Sequence, residues 1–92
     1  MIGNGNTERG KLTFPCQFTF KIIGQANQAF EGEVLKILHQ HFPQLSENAI
    51  RYAVSKNANY LAYTVTVQAE SQEQLDATYQ ALSDSPLVLF AL

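Results

Sequence analysis

The chain has 92 residues, 46% of them hydrophobic, which is enough for one small domain with its own core and too apolar for a disordered segment. Six Lys and Arg against eight Asp and Glu give a net charge of −2, which argues against the basic patch of a nucleic-acid binder. Cys16 is the single cysteine, which excludes an internal disulfide and a multi-cysteine metal site.

Residues 1–12 are predicted to form a flexible N-terminal tail, because Gly, Asn and charged residues dominate this segment. The tail lacks the apolar core of a signal peptide, and no apolar run in the chain approaches the ~20 residues that cross a membrane. The expected location is therefore the cytoplasm, with residues 13–92 forming a single domain.

The first strand is predicted over residues 15–24, "PCQFTFKIIG". Every second residue from Phe18 to Ile22 is apolar, and polar residues lie between them. Because side chains alternate between the two faces of a strand, one face is expected in a core and the other half exposed. Pro15 suits the first position, where a missing N–H costs little.

The first helix is predicted over residues 28–42, with Asn27 as its N-cap and Pro43 ending it. Gly32 within this helix suggests a place where another part of the backbone packs closely. One apolar stripe recurs at helical spacing. Its members are Phe30, Val34, Ile37, Leu38 and either His41 or Phe42.

Two strands around a turn are predicted between residues 49 and 70. The turn is placed at residues 56–59, because Asn tolerates the positive φ that tight turns need. The later strand alternates most regularly. One of its faces is formed by Leu61, Tyr63, Val65, Val67 and Ala69, and the other by Tyr60, Ala62, Thr64, Thr66 and Gln68.

The second helix is predicted over residues 72–83, because Ser71 with Gln74 matches a capping box. Its apolar stripe is formed by Leu75, Thr78, Tyr79 and Leu82. A final strand, "PLVLFAL", is predicted to run to the last residue, and it is apolar on both faces.

The order β-α-β-β-α-β predicts an α+β fold, a two-layer ferredoxin-like sandwich. Each helix has one apolar stripe, so both helices are expected to cover the same face of an antiparallel sheet. Right-handed crossovers then give the strand order 4-1-3-2.

The uncovered sheet face is predicted to be the contact surface of a ligand or a partner. The candidate residues are Lys21, Ile23, Gly24, Gln25, Ser55 and Tyr60. The last strand lies at an edge with two apolar faces, which is an aggregation liability unless it is covered. This predicts a homodimer through the sheet edge or the open face, or a partner protein, unless the tail or the strand's own twist shields the edge.

Enzyme chemistry has less support in the sequence. His39 and His41 are about 200° apart around a helix and cannot bind one metal together. We therefore predict no metal, no cofactor and no catalytic residue. Two alternatives stay open: a small enzyme that uses a carboxylate or Cys16, and a weak nucleic-acid-binding sheet with Tyr60 on its surface.

Five stretches together resemble the YbeD-like family of small uncharacterised bacterial proteins: "FPCQFTFKIIG", "SKNANY", "TVTVQAES", "QLDATYQAL" and "PLVLFAL". The resemblance covers residues 13–92, and Pro15, Lys21 and Gly24 match the family pattern. It implies a ferredoxin-like fold similar to regulatory ACT domains, which sense amino acids. Family genes neighbour lipoate-attachment genes in some bacteria. The resemblance therefore implies a regulatory or binding module that senses a small metabolite or binds a partner enzyme, in lipoate or amino-acid metabolism.

The hairpin departs from this family at one position. Ser55 and Tyr60 match the family pattern, in which a Gly lies three residues after the Ser, but Ala58 occupies the Gly position here. We therefore expect the positive φ at Asn57 or Asn59. The family often has a basic residue in the last strand, and "LVLFAL" has none.

Overall fold

A computed structural model describes residues 13–92, and the predicted tail lies outside the described residues. The elements in chain order are β1 Cys16–Gln25, α1 Gln28–His41, a 3-10 helix Glu47–Ala49, β2 Ile50–Val54, β3 Tyr60–Ala69, α2 Gln72–Asp84 and β4 Val88–Ala91. Each predicted helix and strand is present, with ends that differ by one to a few residues from those expected.

Both helices begin at the predicted N-caps. The Asn27 side chain accepts a hydrogen bond from the Phe30 N–H at 2.8 Å, and Ser71 Oγ accepts one from the Gln74 N–H at 3.1 Å. Each cap satisfies one of the N–H groups that the first helical turn leaves without a partner. The Gln74 side chain accepts from the Glu70 N–H rather than from Ser71, so it ties the end of β3 to the start of α2.

The four strands form one antiparallel sheet in the order β2-β3-β1-β4, which read from the opposite edge is 4-1-3-2. β1 and β3 are central and pair along their full length, from Cys16 opposite Ala69 to Gln25 opposite Tyr60. The structure therefore confirms an α+β fold with two helices and a four-stranded antiparallel sheet of the ferredoxin-like type.

The helices and the inward side chains of β1 and β3 share one hydrophobic core. Phe20 is fully buried and lies 4.9 Å from the ring of Tyr79, 5.1 Å from Phe18 and 6.1 Å from Phe42, between ring centroids. Such edge-on and tilted contacts add to the free energy gained by burying the rings. Phe20 therefore joins β1 to α2 and to the C-cap of α1.

Buried polar groups on this side have partners. The Tyr63 hydroxyl donates to Glu31 Oε2 at 3.3 Å, and Ser85 donates to Glu33 Oε2 at 2.7 Å. Burial first, and then the charge and the hydrogen bond of Glu31, raise the pKa of Tyr63 to about 12. These contacts fasten α1 to the sheet and to the C-cap of α2.

The two glycines of this region have opposite surroundings. A Cβ at Gly32 would meet nothing within 4 Å, so the suggested close packing at Gly32 is wrong. A Cβ at Gly24 would overlap the ring of Phe30 and lie 2.7 Å from the carbonyl oxygen of Leu87. The close approach therefore occurs at the end of β1, where α1 and the chain before β4 both cross the sheet.

The prediction for the hairpin was wrong, because the positive φ, 59°, belongs to Ala58. Ser55 accounts for this placement. Its carbonyl oxygen accepts the Ala58 N–H at 2.8 Å, and its Oγ accepts the N–H groups of Asn59 and Tyr60 at 3.2 and 3.0 Å. These three hydrogen bonds fix the turn relative to Ser55. They place the positive φ at Ala58, the third residue after Ser55, rather than at a neighbouring Asn.

The last strand begins later than predicted, at Val88 rather than at Pro86. The Val88 N–H donates to the Ser85 carbonyl at 3.2 Å in a turn, and Pro86 has no N–H to pair. A register shift between Ile23 and Gly24 leaves Leu89 without an opposite residue, as in a β-bulge.

Candidate functional site on the open face of the sheet

The open face is the side of the sheet that neither helix covers. Its members follow from the register, because directly opposite residues of paired strands point to the same side. They are Gln17, Thr19, Lys21, Ile23 and Gln25 of β1; Arg51 and Ala53 of β2; Tyr60, Ala62, Thr64, Thr66 and Gln68 of β3; and Phe90 of β4.

The positive charges of the strands lie in the middle of the open face. Lys21 and Arg51 are the only charged residues in the four strands, and both lie opposite Thr64, one on each side. Every Asp and Glu of residues 13–92 lies outside the strands. The open face is therefore the basic side of a chain that is acidic as a whole.

One half of the open face is apolar. Ile23 lies between Ala62 of β3 and Phe90 of β4, and Tyr60 follows along β3. Phe90 is 50% and Tyr60 48% exposed, and Leu92, which pairs with Lys21 through its backbone, is 62% exposed. We call these five residues the apolar half. Half-exposed aromatic rings beside a cation are typical of protein–protein contact surfaces.

The other half of the open face is polar, and the sheet is narrower there. β2 begins at Ile50, opposite Val65, and β4 reaches only Ile22, with the backbone of Leu92 pairing with Lys21. Within residues 13–92, only β1 and β3 continue, over residues 16–19 and 66–69. We call this part the two-stranded end. Its outward side chains are Gln17, Thr19, Thr66 and Gln68.

A groove of about 870 Å³ follows the β3 side of the two-stranded end. Its inner wall includes Thr66 and Gln68, and its outer wall is the loop of residues 43–49 between α1 and β2. Arg51 lies at one end of the groove and Glu70 at the other. Thr64, which is opposite Arg51, and Glu70 are six positions apart in the chain, which corresponds to about 20 Å in an extended strand.

The walls of the groove are largely uncharged and combine polar with apolar side chains. The loop contributes Gln44, Ser46 and Asn48, and Gln74 of α2 also lines the groove. Gln74 is held at both ends, because its Nε2 donates to the His41 carbonyl at 2.8 Å and its Oε1 accepts from Glu70. Amide and hydroxyl groups of this kind can donate and accept hydrogen bonds to a polar ligand or a peptide.

The predicted site residues divide into two groups. Lys21, Ile23, Gln25 and Tyr60 lie together on the open face. Gly24 and Ser55 do not join them: Gly24 is buried on the helix side against Phe30, and the Ser55 hydroxyl is occupied in the hairpin turn.

Sequence analysis missed Arg51, Gln68 and Glu70 as site residues. Arg51 could have been identified as a site residue, because it is a cation in a predicted strand. Its place beside Thr64, however, depends on the pairing of β2 with β3. The groove also depends on the path of the loop, which no periodic pattern describes.

The remaining chemical candidates, Cys16 and the two histidines, do not line the groove. Cys16 is half-buried and packs against the core. The Nδ1 atoms of His39 and His41 lie 3.0 and 2.9 Å from the carbonyls of Leu35 and Ile37 in their own helix. In residues 13–92, no three His, Cys, Asp or Glu side chains are grouped so that they could hold a metal ion. The helices of this part of the chain are too short or too polar to span a membrane.

A family model described as "Protein of unknown function (DUF493)" matches residues 10–92. The chain belongs to the DUF493 family. The UPF0250 protein NE1487 of Nitrosomonas europaea is 40% identical over 86 residues, covering 94% of this chain and 99% of the relative. A UPF0250 protein of Janthinobacterium sp. is 38% identical over 81 residues, covering 88% and 89%. The predicted membership of the YbeD-like group of uncharacterised bacterial proteins is thereby confirmed.

A solved structure shares the fold of this DUF493 protein. The solution structure of protein HP0495 from H. pylori superimposes with a TM-score of 0.70 at 15% identity, covering 100% of this chain and 97% of that one. At this identity the likeness concerns the fold alone. The function therefore has to be argued from the surface described above.

Proposed function

We propose that this DUF493 protein is a non-catalytic regulatory module of the cytoplasm that binds a partner protein through the open face of its sheet. The observation that carries the proposal is the placement of Lys21 and Arg51, the only strand charges, on the one sheet face without a helix. A cationic centre next to half-exposed Tyr60 and Phe90 suits a partner with an apolar patch and acidic neighbours.

Self-association is the form of this proposal in which the partner is a second copy. β4 is a short edge strand, and Leu89, Phe90 and Leu92 are 56%, 50% and 62% exposed. A homodimer through this edge or through the open face would cover them. The bulge at Leu89 acts against edge pairing, which favours the open face as the surface in contact.

Affinity capture with a charge-matched pair of variants tests the proposal. Lys21→Glu reverses the charge on the open face, and Lys36→Glu makes the same change on the exposed side of α1. We expect a partner that is recovered from lysate with the native chain and with Lys36→Glu but lost with Lys21→Glu, and sedimentation would reveal the homodimer. Equal recovery with both variants would refute the open face as the contact surface.

A second candidate function is the binding of a small anionic metabolite, such as an amino acid or a lipoate-related acid. The groove favours it, because Arg51 and several amide and hydroxyl side chains line this cavity of about 870 Å³. We expect one of these acids to raise the melting temperature of the native chain and of Lys36→Gln but not of Arg51→Gln. Shifts of equal size in all three proteins, or in none, would eliminate this candidate.

A further inference from the structure

Part of the β3 edge faces the groove without a strand beside it. β2 pairs with β3 only from Leu61 to Val65, whereas β3 continues to Ala69. Beyond Val65, no strand within residues 13–92 lies on this side of β3. The loop that follows α1 stands apart from this edge and leaves the groove between them.

The direction of the backbone groups at this edge follows from two contacts. Lys21 exchanges both backbone hydrogen bonds with Leu92 of the last strand, at 2.9 and 2.7 Å, so the polar groups of Lys21 point away from β3. Because hydrogen-bonded and non-hydrogen-bonded pairs alternate in an antiparallel ladder, the groups of Thr64, opposite Lys21, point away from β1. The carbonyl of Tyr60 agrees with this, since it accepts from the Ser55 N–H at 2.9 Å.

The same alternation carries on past the end of β2. Thr66 and Gln68 must direct their N–H and C=O groups into the groove, at the ~6.6 Å spacing of every second residue in an extended chain. This row of donors and acceptors is the template that an added strand requires.

We propose that the groove takes an extended segment of a partner protein, which adds a strand to β3 by pairing with Thr66 and Gln68. The segment carries a carboxylate at the end that meets Arg51 and a cation at the end that meets Glu70. Arg51 and Glu70 mark opposite ends of the groove, and the walls between them combine amide and hydroxyl groups with apolar side chains such as Leu45. The inference rests on the proposed function as a binding module and names the chemistry of the partner segment.

The opposite edge of the two-stranded end provides a contrast. Thr19 lies directly opposite Thr66, with the two hydroxyl oxygens 3.3 Å apart, and its backbone groups point away from β3 by the same alternation. Thr19 does not line the groove. The two edges therefore offer the same backbone chemistry, and among residues 13–92 a facing wall that could hold a strand lies only beside the Thr66 edge.

Amide hydrogen exchange in the full chain tests the inference. The probes are two capped peptides, acetyl-Glu-Thr-Val-Thr-Val-Lys-amide and its reversed sequence, which cover both strand directions, and a control has methyl groups on its backbone nitrogens. We expect the Thr66 and Gln68 amides to exchange freely in the protein alone and about tenfold more slowly with one peptide. The amides of Val65 and Val67, which pair with β1, should not change.

Two proline variants separate strand addition from a charge effect. Thr66→Pro removes an N–H that faces the groove and leaves the β1–β3 ladder intact, and Thr19→Pro makes the same change at the opposite edge. We expect Thr66→Pro to weaken peptide binding about tenfold or more, as expected for a lost backbone hydrogen bond and a ring in its place, and Thr19→Pro to leave it nearly unchanged. Circular dichroism would show that each variant folds.

If Thr66→Pro does not fold, Arg51→Gln keeps the inference testable, with an expected two- to fivefold loss of affinity, typical of an exposed ion pair, and Lys36→Gln as control. Protection of the Thr66 and Gln68 amides in the free protein would overturn the inference, because the chain itself would then fill the groove. So would equal losses in the two proline variants, binding of the methylated control, or protection by small acids alone. A partner that is lost with Lys21→Glu but retained by Thr66→Pro would leave the proposed function intact and refute strand addition.

Discussion

The two faces of the sheet are formed by the same strands but differ in the burial of their side chains. On the helix side, Phe20, Ile22 and Val65 are completely buried, and the nearby polar groups are hydrogen-bonded. On the open side, the neighbours of these residues in sequence are exposed or half-buried, and both strand charges lie there. Stability is therefore concentrated on the helix face, and the open face contributes less to it.

The comparison predicts that adjacent residues of one strand respond differently to the same substitution. A side chain on the helix side loses packed neighbours when it is shortened, whereas one on the open side loses mainly contact with water. Equal changes in the free energy of unfolding on the two faces would contradict this division.

The largest effect is expected at Phe20. Phe20→Ala should destabilise the fold by about 3–5 kcal/mol, because it removes the ring that contacts Phe18, Phe42 and Tyr79. The next residue, Thr19, lies on the open face, and Thr19→Ala should change the free energy of unfolding by less than about 0.5 kcal/mol. Urea titration followed by circular dichroism measures both. A similar loss in the two variants would mean that the open face is also packed.

The second effect contrasts the two glycines. Gly24→Ala should destabilise by about 1–3 kcal/mol, because its Cβ would press on Phe30 and on the Leu87 carbonyl at the helix side of β1. Gly32→Ala, with free space around it, should stabilise α1 by up to about 1 kcal/mol. Thermal unfolding of both variants shows whether each substitution raises or lowers the stability. A stabilising Gly24→Ala would show that α1 does not cross β1 so closely.

The third effect depends on pH. Folding raises the pKa of Tyr63 from 10.0 to about 12, so the folded chain holds this proton more tightly than the unfolded chain does. The stabilisation is complete below pH 10 and declines as the pH rises towards 12, by on the order of 2 kcal/mol. Urea unfolding between pH 8 and 12 should show that the free energy of unfolding declines less steeply for Tyr63→Phe than for the native chain. For Tyr60→Phe, on the open face, the free energy of unfolding should decline with pH as it does for the native chain.

The smallest effect is expected in the hairpin. Ala58 has a φ of 59°, where a Cβ is unfavourable and Gly is not. Ala58→Gly should therefore stabilise the fold by about 1 kcal/mol, visible as a higher melting temperature. The matched change Ala62→Gly, within β3 on the open face, should destabilise instead. Loss of stability at position 58 would show that the positive φ lies elsewhere in the turn.

Patterns with a regular period predicted the fold most accurately. Alternation along β3 identified its two faces residue by residue, and the caps Asn27 and Ser71 located the helix starts. The turn was predicted less well, because three hydrogen bonds to Ser55, rather than the preference of Asn, decide which residue has the positive φ.

The candidate site was predicted only in part. Lys21, Ile23, Gln25 and Tyr60 were assigned to the open face because each strand alternates by itself. Gly24 was grouped with them although alternation alone places it on the other side, facing Phe30.

The sequence by itself determined the order of the elements, the faces of each strand and the family, because these depend on local periodicity and on residues close together in the chain. Only the tertiary structure decided that Arg51 stands beside Thr64, that β2 stops at Val65, and that a loop then forms a groove along the uncovered β3 edge. Those features depend on register and strand length, which pairing between distant segments sets and no single strand encodes.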